Sequence, residues 1–164
     1  MANLTNASEI LIWLLVVNLG IAFGAGIYEH HLVVPRWIIR EGGSTIHWNS
    51  TAARLDDTGR KFWVFVTTIP LTLLTLANIY VAWHSSGGIR SWWLAAGCAA
   101  FADRLVTFSY FIPTMIGLMK TPDSPQSVAT ARRWSNANYL RHAIVLAAWL
   151  LSLKAFSVFY QQSV

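Results

Sequence analysis

Four long apolar segments constrain this chain more than any other feature of its sequence. They run over about residues 9–34, 62–83, 91–119 and 134–160. Each is at least as long as the ~20 residues that a helix needs to cross a bilayer core. Helix is the expected state, because an unpaired backbone polar group in lipid costs several kcal/mol. We therefore expect an all-α integral membrane four-helix bundle, in which residues 1–164 form a single transmembrane domain.

The composition indicates the same environment. Only 12% of the residues are charged, against about 25% in soluble domains, which argues against a soluble enzyme. The net charge of +5 comes mainly from two polar segments between apolar runs. A nucleic-acid-binding domain would instead gather its basic residues on one face. The expected partner is therefore the lipid bilayer, and nucleic acid is excluded.

The distribution of basic residues predicts the orientation in the membrane. The loop over residues 35–61 holds five Lys or Arg residues and the loop over residues 120–133 holds three, whereas residues 84–90 hold one. The positive-inside rule places both long loops in the cytoplasm and both termini outside, as in a multi-pass protein of a bacterial inner membrane. Tryptophans near the boundaries, Trp63 among them, are expected to form interfacial belts. Pro35 is expected to end the first helix, and Pro70 and Pro113 to kink the next two.

Ionisable and amide side chains interrupt three of the apolar segments at similar depth. Such groups usually face the interior of a helix bundle and have partners there. Asp103 and Arg104 are about 100° apart around their helix, so each is expected to need a partner on another helix. The catalytic candidates are Glu29, Asp103, Arg104, Arg141 and His142.

Two interpretations of this polar set stay open. In the first, Glu29 and Asp103 neutralise Arg104 and Arg141 in a structural network that fixes helix register. In the second, the set is a functional site, with a proton relay as one form of it. A metal ion would take its ligands from His30, His31 and His142, although their spacing is not diagnostic. Haem b between His142 and either His30 or His31 has weaker support, and the cofactor stays open between none, a metal ion and haem b.

Short motifs on all four segments resemble the anthrone oxygenase-like family of small four-helix membrane proteins, most of them of unknown function. The motifs are Gly26-Ile27-Tyr28-Glu29 with Pro35 and Trp37, Phe62-Trp63 with Pro70, Arg104-x-x-Thr107-Phe108-x-Tyr110-Phe111-x-Pro113, and Trp134 with Asn138 and Arg141.

The resemblance implies an oxygenase that converts an anthrone-like aromatic to a quinone with O₂. A base, which is Glu29, Asp103 or His142, would remove a proton, and Arg104 or Arg141 would stabilise the oxyanion. The residues expected to bind this lipophilic substrate are Tyr28, Phe108, Tyr110, Phe111 and Asn138. The alternative is a non-enzymatic subunit or scaffold, either in a membrane complex or as a homo-oligomer.

Overall fold

The computed structural model describes residues 2–41, 45–56 and 58–163, most of them helical. Helix α1 runs over Ala2–Tyr28 and continues through a π-helical segment, Glu29–Val33, into a last turn, Val34–Trp37. Strands β1 (Ile38–Glu41) and β2 (Thr45–Trp48) then form an antiparallel hairpin. A short helix, α2, follows at Ser50–Leu55, where the Asn49 side chain accepts a hydrogen bond from the Ala52 N–H.

Three long helices make up the remainder of the chain. Helix α3 comprises Thr58–Phe62, a π-helical segment Trp63–Thr68, and Ile69–His84. Helix α4 comprises Gly88–Val106, a π-helical segment Thr107–Phe111, and Ile112–Lys120. Helix α5 is continuous over Pro125–Ser163.

Three candidate membrane spans lie within these helices, at Asn6–Trp37, Arg60–His84 and Pro125–Gln161. They are long and apolar enough to cross a bilayer, as expected of a membrane protein. The segment predicted at 91–119 folds as α4 but is not among the three, and it carries Asp103 and Arg104 near its middle. Many large apolar side chains on the helices are exposed, which is compatible with lipid contact.

The helices pack as neighbouring pairs, with α1 and α4 each lying against both α3 and α5. Their buried apolar residues form three clusters that succeed one another along the helices. The first cluster includes Ile12, Trp93 and Ala155. The second includes Leu19, Leu71, Ala100 and Val145, and the third, beside the hairpin, includes Val34, Trp37, Phe111 and Trp134.

The three π-helical segments have a common cause in the sequence. Each is followed by proline as the second residue of the next α-helical stretch: Pro35, Pro70 and Pro113. Proline has no N–H, and its ring collides with the carbonyl four residues earlier in an α-helix. Widening the preceding turn relieves that conflict while the helix goes on. The prediction that Pro35 ends the first helix is therefore wrong, since the helix continues to Trp37.

The hairpin was not predicted, because residues 35–61 were expected to form a loop. The strands pair Ile38 with Trp48 and Ile39 with His47. The loop before α5 anchors them: Asp123 accepts 2.8 Å and 2.6 Å hydrogen bonds from the Trp48 backbone N–H and the His47 ring. The Trp48 indole N–H also donates to the Leu118 carbonyl at the end of α4.

Candidate functional site

A polar layer separates the second apolar cluster from the third. On α1, Glu29 and His30 lie between Ala22 and Val34, which belong to the two clusters. On α4, Asp103 and Arg104 lie between Ala100 and Phe111 in the same way. On α5, Asn138, Arg141 and His142 lie between Trp134 and Val145. We call these seven residues, together with Trp63 of α3, the polar layer.

The three π-helical segments meet at Arg141. Its guanidinium carbon lies 4.9 Å from the centre of the Phe111 ring and 5.7 Å from that of Trp63. Phe111 and Trp63 belong to two of the π-helical segments, and Glu29, in the third, accepts a hydrogen bond from the same Trp63 side chain. Within the described ranges, no carboxylate forms a direct ion pair with Arg141. Aromatic faces stabilise a cation without neutralising it, so this guanidinium keeps its donors for another group.

Glu29 is hydrogen-bonded to Trp63, a residue that was expected to lie in an interfacial belt. Its Oε1 accepts a 2.9 Å hydrogen bond from the Trp63 indole N–H, which joins α1 to α3. Both Glu29 and Arg141 stay partly exposed at the helix surface.

Asp103 and Arg104 pair with each other, which corrects the prediction that each needs a partner on another helix. Arg104 donates from Nε to Asp103 Oδ2 at 3.0 Å, and from Nη2 to the same oxygen. The long, flexible arginine side chain spans the angular offset that separates neighbouring helix positions. Both residues are buried, and Asp103 Oδ1 has no hydrogen-bond partner among the described residues. The predicted network of four charges therefore contains one direct ion pair, Asp103–Arg104. Glu29 and Arg141 form no direct ion pair in the described ranges.

The histidines cluster by ring packing. The His30 ring lies edge-on to those of His31 and His142, at centroid distances of 5.3 Å and 5.6 Å, and to Tyr139 at 4.4 Å. Gly26 makes room for this contact, because a Cβ there would lie 2.8 Å from His142 Nε2. No group of three His, Cys, Asp or Glu side chains in the described part of the chain is placed to hold a metal ion. The three rings pack edge-to-face rather than pointing at one common point, and the metal site at His30, His31 and His142 stays a prediction.

The residues predicted to bind substrate differ in their burial. Tyr28 and Phe108 are 60% and 48% exposed on the outside of their helices, and Tyr110 is half-buried. Phe111 is buried beside Arg141, and its carbonyl accepts a hydrogen bond from the Trp134 indole. Asn138 is buried and donates to the Trp134 carbonyl of its own helix.

Sequence reasoning missed the roles of two residues at the interface between α1 and α3. Trp63 was assigned to an interfacial belt, yet its N–H faces Glu29. Asn18 donates a 2.8 Å hydrogen bond to the Val66 carbonyl, four residues before Pro70. In an α-helix that carbonyl would have no donor, because proline lacks the N–H. A proline within an apolar run, together with an amide on a neighbouring run, was the available signal for this contact.

We compared the chain with models of known protein families, with curated proteins and with solved structures, and none of them matches it.

Proposed function

We propose that this chain is a membrane-embedded oxygenase for a lipophilic, weakly acidic aromatic substrate of the anthrone class. The observation that carries the proposal is the polar layer, in which Arg141 lies between aromatic rings with no direct carboxylate partner in the described ranges and with Glu29 nearby. The resemblance of the motifs around Glu29, Arg104 and Arg141 to the anthrone oxygenase-like family supports the class of substrate.

In this proposal the chain crosses the membrane four times as a helical bundle, and α4 is a span in addition to α1, α3 and α5. Helix α4 packs against both α3 and α5, and its two central charges pair with each other. A buried pair of opposite charges is far less costly in a low-dielectric environment than an isolated charge. The basic residues of the two long loops favour a bacterial inner membrane, with those loops in the cytoplasm and both termini outside.

The proposed reaction begins with proton transfer to Glu29. Loss of a proton from the CH₂ carbon of an anthrone gives an enolate, and Arg141 stabilises the charge on its oxygen. Molecular oxygen then oxidises this carbon: one oxygen atom becomes the second carbonyl group of the quinone, and the other leaves as water. Glu29 and Arg141 are partly exposed, so an apolar substrate can approach from the lipid. Asp103 is the weaker candidate for the base, because Arg104 already pairs with it.

Turnover of anthrone by the purified full-length protein tests this proposal. The assay follows anthraquinone formation and O₂ consumption in detergent micelles, with protein-free micelles to measure autoxidation. We expect Glu29→Gln and Arg141→Met to lower the rate about 100-fold or more, as the loss of a general base or an oxyanion donor does. Arg90→Met is the matched control, because Arg90 also lies over an indole ring, that of Trp83, at 5.4 Å.

Three results would overturn the proposal: no turnover above autoxidation, full activity in folded Glu29→Gln and Arg141→Met proteins, or an equal loss in Arg90→Met. If Arg141→Met does not fold, Arg141→Lys keeps the charge and tests the geometry of the planar donor group.

A structural lock is the second candidate function, and the Trp63–Glu29 hydrogen bond between α1 and α3 favours it. Two acids and two bases balance formally in the layer, and such networks specify helix register more than they add stability. The lock predicts that substitutions in the layer change folding without any effect on turnover of a small molecule. The anthrone assay on folded variants therefore separates the two candidates.

A further inference from the structure

A cationic groove lies beside the polar layer, where the end of α1, the hairpin and the start of α5 meet. It has a volume of about 530 Å³. Two arginines line it: Arg40 on β1 and Arg132 on α5. Both side chains are exposed, and neither is paired with a carboxylate among the described residues. No acidic residue is among the described residues that line this groove, so its charge is positive.

Hydrogen-bonding groups also line the same groove. His30 is 8% exposed, lines the groove, and has a buried Nδ1 atom with no hydrogen-bond partner in the described part of the structure. Ser135, Asn136 and Tyr139 add hydroxyl and amide groups from α5. An unpaired buried polar atom costs free energy unless a ligand or water satisfies it. The groove therefore offers two exposed cations together with hydroxyl and amide groups of α5.

The remaining wall of the groove is apolar. Val34, Pro35 and Ile38 belong to the end of α1 and the start of the hairpin, and Ile46 faces them from β2. A soluble anion would make no use of this wall. A phosphoryl group attached to a hydrocarbon chain would contact both the arginines and the apolar wall. The arginine guanidinium groups can donate paired hydrogen bonds to phosphate oxygens, and the apolar side chains can pack against acyl chains.

We propose that this groove binds the phosphoryl head group of an anionic membrane phospholipid. Arg40 and Arg132 bind the phosphate oxygens, the α5 polar groups contact the remainder of the head group, and the acyl chains run along the apolar wall. The groove adjoins the ends of α1 and α5, and basic pockets between spans at the cytoplasmic side are typical anionic-lipid sites. Free phosphate shares the charged chemistry, so the experiment separates the two sources.

One neighbouring acid forms no ion pair with either arginine of this groove among the described residues. Asp123 lies in an adjoining groove that shares Ile46 and Arg132 with this one. Its carboxylate is already hydrogen-bonded to the Trp48 N–H and to His47. Arg132 therefore lines both grooves and supplies a positive charge to each.

Lipid binding to the purified full-length protein tests the proposal. The probes are dioleoyl phosphatidylglycerol, dioleoyl phosphatidylcholine and inorganic phosphate, titrated into detergent-solubilised protein and followed by native mass spectrometry and thermal unfolding. We expect phosphatidylglycerol to bind and to raise the unfolding temperature, and phosphatidylcholine and phosphate to do neither at equal concentration. Arg40→Gln/Arg132→Gln should weaken phosphatidylglycerol binding about tenfold or more.

The control double variant is Arg36→Gln/Arg133→Gln, which removes the same charge from exposed neighbouring positions that do not line the groove. It should bind within about twofold of the unmodified protein. Asn136→Asp is an independent variant that places a carboxylate in the groove, and it should also weaken binding. Equal losses in the two double variants, equal binding of the zwitterionic lipid, or full competition by phosphate would each overturn the proposal.

Discussion

The Trp63 indole N–H donates a 2.9 Å hydrogen bond to Glu29 Oε1, and this bond links α1 to α3 inside the polar layer. The same ring lies 5.7 Å from the Arg141 guanidinium carbon. Trp63→Phe keeps an aromatic face for Arg141 but removes the donor to Glu29. We expect the free energy of unfolding to fall by about 1.5–3 kcal/mol, the usual contribution of a hydrogen bond to a charged group. Denaturation in mixed micelles, followed by circular dichroism, measures it.

Trp13→Phe is the control for this change, because Trp13 is half-exposed and stacks against Phe156 through its ring alone. Its stability should stay within about 0.5 kcal/mol of the unmodified protein. A similar loss in both variants would mean that the Trp63 N–H contributes nothing specific.

Asn18 supplies the donor that Pro70 withholds from the Val66 carbonyl. We expect Asn18→Leu to destabilise the protein by about 0.5–1.5 kcal/mol, the usual net contribution of one hydrogen bond, since the bond between α1 and α3 is then lost. Replacing Pro70 by alanine restores a backbone N–H four residues after Val66. In the Pro70→Ala background the Asn18→Leu change should therefore cost much less, and a cost that is equal in the two backgrounds would contradict the assignment.

The buried Asp103–Arg104 pair predicts a strongly non-additive double-mutant cycle. Asp103→Asn or Arg104→Met alone leaves an unpaired buried charge and should cost about 3–5 kcal/mol. The double variant Asp103→Asn/Arg104→Met leaves no charge and should be more stable than either single variant. Unfolding of all four proteins under one condition gives the coupling free energy. Simple additivity would show that the two side chains do not act as a pair.

Asp123 predicts a pH dependence for the anchoring of the hairpin. Hydrogen bonds from the Trp48 backbone N–H and from His47 hold the pKa of Asp123 below its ordinary value. A carboxyl group with a lowered folded-state pKa stabilises the fold above its unfolded pKa, and that contribution disappears as the pH falls through the folded value. The unmodified protein should therefore be more stable than Asp123→Asn near neutral pH, and the difference should shrink below about pH 4. Unfolding temperatures measured across this range test it, and a constant difference would contradict it.

The apolar segments predicted the long helices well, because length and hydrophobicity act locally along the chain. The hairpin was missed, since its four-residue strands depend on contacts with Asp123 and Leu118, which lie more than 65 positions away in the sequence. The polar layer could be predicted as a group, as the charges occur at similar depth on separate segments. Its pairing could not, because the choice between Arg104 and Arg141 as the partner of Asp103 depends on side-chain rotamers. The roles of Trp63 and Asn18 likewise depend on how two helices face each other.

The π-helical turns before Pro35, Pro70 and Pro113 also have a geometric consequence. A π turn holds more residues than an α turn, so the stretch that follows is rotated relative to an uninterrupted helix. Removing one residue from such a turn would restore the regular repeat and rotate the following residues by about 100° around the axis. The three turns therefore determine which side chains near the hairpin point toward the interior of the molecule and which point outward.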